Sequence, residues 1–164
     1  MSGSPAARVR ATTFGLALVI GLPSLATAYQ VRFEAGQACT FALLVDVVGG
    51  DNRQVKEFKE KNGIVRILSA GVGSQLTFTN LANDTTHSLR ANGSVTNTTI
   101  NPDGSFTNTL TGHNVLFLYP TDVPAGPTTT LYAGRVIYTS DQLFNFTLQG
   151  THGKSTDICA ALSS

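Results

Sequence analysis

Residues 85–111 read TTHSLRANGSVTNTTINPDGSFTNTLT, from Thr85 to Thr111. Threonine, valine, isoleucine and phenylalanine fit a pleated, half-buried surface. Turn chemistry interrupts them twice. Asn92-Gly93 is a pair that adopts the positive φ of a two-residue hairpin turn. Asn101-Pro102-Asp103-Gly104 suits a four-residue turn, with Pro at its second position and Gly at its last. The stretch therefore predicts a three-strand antiparallel meander over 85–91, 94–100 and 105–111.

The chain on either side continues in the same manner. Gln75-Leu76-Thr77-Phe78-Thr79 and Asn145-Phe146-Thr147-Leu148-Gln149 alternate apolar and polar side chains, as half-buried strands do. Phe41–Val45, continuing to Val48, and Val115–Tyr119 are more continuously apolar and predict central strands covered on both faces. Leu131–Tyr138 predicts a strand bent at Gly134. Residues 51–62 concentrate charge around two apolar residues, Val55 and Phe58. That segment fits an exposed edge strand paired with Ile64–Leu68 better than a helix, because two anchors make a poor helical stripe and Asn62-Gly63 follows directly. Residues 120–130 hold three of the six prolines and form a loop. Nine to eleven strands joined by tight turns predict an all-β fold, an antiparallel β-sandwich or β-barrel.

The N-terminus carries a different pattern. Arg8 and Arg10 precede the apolar stretch Phe14–Leu22, and Ala26-Thr27-Ala28 offers the small side chains that signal peptidase accepts. The apolar stretch is shorter than the roughly 20 residues of a membrane span. Residues 1–28 thus read as a secretory signal peptide and 29–164 as a single extracellular domain. Its loss removes both arginines and leaves nine Lys+Arg against ten Asp+Glu, a net charge of −1. That balance argues against nucleic acid as a partner, and no later stretch has the length of a membrane span. The two cysteines, Cys39 and Cys159, lie 120 residues apart with neither zinc nor redox spacing. In an exported protein they predict one disulfide closing the fold.

Chemistry is sparse. No Gly-x-Ser-x-Gly, phosphate loop or calcium-loop pattern occurs. His87, His113 and His152 never stand at i, i+2 or i+4 from one another, so no single element presents a ligand pair. Asp46 interrupts the apolar Phe41–Val48 stretch, and its ordinary reading is a side chain turned to solvent. No cofactor, metal or catalytic residue is expected. The loop around Asp122, Pro124 and Pro127, with His113 nearby, is the candidate surface for recognition of a cell-surface or extracellular macromolecule.

Leu76–Leu81, Gly112–Leu116, Tyr119–Pro127 and Gly153–Leu162 together resemble a group of small secreted, β-rich bacterial proteins with no assigned activity. The resemblance spans most of the chain after residue 28. It implies export and a β-rich fold, and it carries over no catalytic or binding residue. The expectation is a non-enzymatic secreted binding or structural β-module. The alternatives are a small-ligand carrier barrel with an internal cavity, and a small secreted hydrolase or metal-dependent enzyme using His87, His113, His152 and Asp46.

Overall fold

A computed structural model describes residues 28–50, 53–59, 64–91 and 94–164. Residues 1–27, most of the predicted signal peptide, and both Asn-Gly pairs, at 62–63 and 92–93, lie outside the described residues. The chain is nearly all β, with two antiparallel sheets. One has four strands: β1 (Ala28–Phe33), β2 (Leu43–Gly49), β5 (Ser74–Asn80) and β6 (Thr86–Ala91), in the order β1-β2-β5-β6. The other has six: β3 (Arg53–Lys59), β4 (Val65–Gly71), β7 (Val95–Ile100), β8 (Phe106–Leu118), β9 (Thr128–Ser140) and β10 (Phe146–Asp157), in the order β10-β9-β8-β7-β4-β3. A single helical turn, α1 (Ile158–Ala161), follows. The sandwich expectation holds.

The meander is corrected in one joint. β7 and β8 form the expected hairpin across Asn101–Gly104, where the Gly104 amide donates to the Asn101 carbonyl at 2.9 Å. β6, however, pairs with β5, and β7 pairs with β4 and β8. The chain crosses between sheets at 91–95 instead of turning back. It also crosses at 49–53 and 71–74, so all three crossovers lie at the same end of the sandwich.

Two further expectations change. The apolar stretch 41–48 is not covered on both faces: Leu43, Val45 and Val47 point inward while Val48 is exposed. Its apolar continuity reflects a central position between β1 and β5, not double burial. Strands expected at 105–111 and 115–119 are one strand, β8, which continues through Gly112 without a break. β10 likewise continues to Asp157, beyond its alternating start. The charged segment is an edge strand as expected, exposed at all seven positions of β3 and paired with β4.

β8, β9 and β10 share a glycine row. Gly112 pairs with Gly134, and Gly134 with Gly153, all at positive φ of 92°, 149° and 115°. A Cβ on Gly134 would strike the His152 carbonyl, and one on Gly153 the Ala133 carbonyl. The row lets three strands bend together. Leu110 and Leu116 are six residues apart on one face of β8, about 20 Å along a straight strand. Instead they share one buried cluster with Val136, flanked by Tyr132, Tyr138 and Leu148.

The main core lies between the sheets. Leu43, Val45, Val47 and Phe78 of the smaller sheet meet Ile158 and Leu162, with Val115, Phe117 and Leu131 packed against them. Asp157 caps α1 by accepting from the Ala160 amide at 3.0 Å, which holds Ile158 and Leu162 inward. Asn80 Nδ2 donates to the Leu162 carbonyl at 3.0 Å. The disulfide joins Cys39, in the β1–β2 turn, to Cys159 of α1, with a Cα–Cα separation of 5.6 Å. It sits at the end opposite the crossovers.

Candidate functional site

Period-2 alternation aims Tyr29, Val31 and Phe33 of β1, Val45 and Val47 of β2, and Leu76 of β5 at the opposite sheet. The register sets Tyr29, Val47 and Leu76 in one row, and Val31 beside Val45 in the next. These side chains line one wall of a cleft of about 670 Å³. Leu110, Val115, Leu116 and Phe117 of β8, Tyr138 of β9 and Phe146 of β10 line the other. The wall is closed at one end by aromatic rings: Phe33 stacks on Phe117 with centroids 4.8 Å apart and lies 6.4 Å from Tyr119. Tyr138 and Phe146 pair at 4.7 Å.

The other end is made by the crossovers, where Arg53, Ser74 and Ser94 supply polar groups beside Val72 and Ala91. Among the described lining residues Arg53 and His113 are the basic side chains, and no Asp, Glu or Lys is present. Burial pushes the Tyr138 phenol above its ordinary pKa, so at neutral pH it is an uncharged hydrogen-bond donor.

The cleft meets its two walls differently. The smaller sheet contributes alternate residues, as a sheet face does. β8 contributes five in succession, His113, Asn114, Val115, Leu116 and Phe117. Consecutive lining residues come from both faces of β8, as fits a cleft that meets the strand at its edge. The pairing explains why: β9 follows β8 from Phe106 to Leu118, whereas β7 follows it only from Phe106 to Thr111.

The residues singled out from sequence are scattered. His113 lines the cleft, but the other three lie elsewhere. Asp122 is buried, 4 % exposed, and both its oxygens are used: Oδ2 accepts from the Tyr119 amide at 2.6 Å and Oδ1 from the Phe146 amide at 2.7 Å. It therefore pins the proline loop to the start of β10 and presents no recognition surface, which corrects its place in the expected surface site. A bridge between Val123 and Thr147 completes that seam. Pro124 is exposed and Pro127 half-buried in the same loop, each after a cis peptide bond. Thr121 and Val123 of that loop border a smaller hollow of about 270 Å³ with Ser105, Thr139, Asp141 and Asn145.

His87 belongs to the smaller sheet, opposite Phe78, while His113 and His152 lie in the larger one, two strands apart. Among the described residues no three His, Cys, Asp or Glu side chains gather as a metal site would require. Asp46 faces away from the cleft, half-buried, and accepts from Gln30 Nε2 at 2.6 Å.

Sequence reasoning missed the cleft wall in β1. The signal was available in Tyr29-Gln30-Val31-Arg32-Phe33, which alternates as cleanly as Leu76–Thr79. No family model matches the chain, and neither a curated protein nor a solved structure matches it.

Proposed function

We propose that the protein is an exported, non-enzymatic binding module that holds an apolar ligand between its sheets. The cleft carries this reading. Its volume of about 670 Å³ falls in the range of ligand sites, and its walls are mainly apolar with a few polar groups at one end. Removing apolar surface from water would supply the driving force, at roughly 25 cal/mol per Å² buried.

Support over a hydrolase comes from the lining itself. General acid–base chemistry needs a base with a partner that orients it. His113 is the imidazole in the cleft, and no carboxylate lines it among the described residues. Export is supported by the leader composition and by the Cys39–Cys159 bridge, which suits an oxidising compartment. No described helix is long and apolar enough to cross a membrane.

Titration with the neutral dye N-phenyl-1-naphthylamine tests the reading. Saturable, blue-shifted fluorescence is expected. Val31→Trp, on the edge strand β1, would fill the cleft and weaken dye binding by about tenfold or more with an unchanged melting temperature. Absence of saturable binding, or equal binding by the variant, overturns it. N-terminal sequencing of protein recovered from the medium of its producing cells should begin at Tyr29.

A further inference from the structure

We infer that the occupant of the cleft is the extended C-terminal segment of a peptide or protein, added antiparallel to the open edge of β8; this rests on the cleft reading above. A strand paired on one side offers a row of amide and carbonyl groups on the other. Over Asn114–Phe117 β8 is such a strand: it pairs with β9 there, and its pairing with β7 has already stopped at Thr111. Among the described residues, no turn or loop backbone hydrogen bond reaches Asn114–Phe117. The cleft runs along that edge, as the five consecutive lining residues show.

An extended chain satisfies both walls at once. Its backbone would continue the ladder on Asn114–Phe117. Every second side chain would face Val31, Val45, Val47 and Leu76, so alternate apolar residues are required. A globular apolar molecule would fill the volume and leave the β8 edge unpaired, which is costly for buried backbone.

Charge sets the direction. β8 begins its open stretch at the crossover end, where Arg53 lines the cleft. A strand antiparallel to β8 ends there, so its C-terminal carboxylate arrives at the Arg53 guanidinium. With no acidic side chain in the lining, the carboxylate meets no like charge. The guanidinium fork matches it in geometry and sign.

The test is a display library of seven-residue peptides with free C-termini, panned on the full exported domain. Enriched peptides should alternate apolar residues. Synthesised as acids they should bind about tenfold more tightly than as C-terminal amides. Arg53→Gln should abolish that difference and Arg53→Lys should keep it. N-methylation should weaken binding at every second amide, and bound peptide should slow amide exchange at Asn114–Phe117. Equal binding of acid and amide, or protection mapping away from β8, overturns the inference. Binding of the neutral dye without enrichment of any peptide also overturns it and leaves the cleft reading standing. Displacement of the dye by palmitate and not by peptide gives the cleft to a lipid-like ligand instead. Failure of both dye and peptide removes the cleft reading itself.

Discussion

Asp122 shows how one carboxylate can organise a loop. It accepts two backbone amides, one from Tyr119 just past the end of β8 and one from Phe146 at the start of β10. Asp122→Ala leaves two part-buried donors without their partner, and urea unfolding should register a loss of about 1–3 kcal/mol. Asp141 does similar work in solvent. Its hydrogen bonds from the Asn145 side chain and amide, and from the Leu143 amide, hold its pKa below the ordinary value and fix a turn in which Phe144 has φ of 62°. A depressed folded-state pKa means stability that is complete above the unfolded value of about 3.9 and fades as pH falls below it. Melting curves from pH 5 downward should therefore show a shallower acid-side loss in Asp141→Asn than in the parent. The loop character of the stretch that holds Asp122 is readable from sequence, but only the loop's return onto Phe146 reveals that Asp122 is buried.

Elements explain why part of the architecture was legible and part was not. Local signals sufficed for the β7–β8 hairpin, for the charged edge strand β3 and for the bend at Gly134. They failed at 91–95, because strand propensity is the same whether a chain turns back or crosses to the other sheet. They failed again in β8, where Gly112-His113-Asn114 looks like a break and is instead one third of a glycine row. Such a row is visible only once β8, β9 and β10 are in register. Gly134→Ala tests it. The added methyl would meet the His152 carbonyl at a φ that side chains rarely adopt, and a loss of about 2–4 kcal/mol is expected by thermal denaturation. The cleft was illegible for the same reason, since Val31, Val45 and Leu110 come to line one cleft only through pairing between distant segments. Edge β3 carries its own prediction. Arg53, Lys56, Glu57 and Lys59 separate the exposed Val55 and Phe58 from other molecules. Replacing Lys56 and Lys59 with valine should shift the protein toward larger species in light scattering.

At the scale of the whole molecule, the two sheets are joined covalently at both ends. Three peptide crossovers join them at the Arg53 end, and the Cys39–Cys159 bridge joins the end near Phe33. In the chain-entropy model a loop of 120 residues is worth about 4–5 kcal/mol, so the Cys39→Ala, Cys159→Ala pair should lower the denaturation midpoint substantially. Position matters beyond that figure. The crossovers act as the spine of a book and the bridge as its clasp, fastened beside the aromatic end of the cleft. Unclasped, the covers can part without the pages coming loose from the spine. Under reducing conditions too mild to unfold the domain, bound dye should leave faster while the strands stay paired. The bridge would then govern how long a ligand is held as well as how firmly the fold stands.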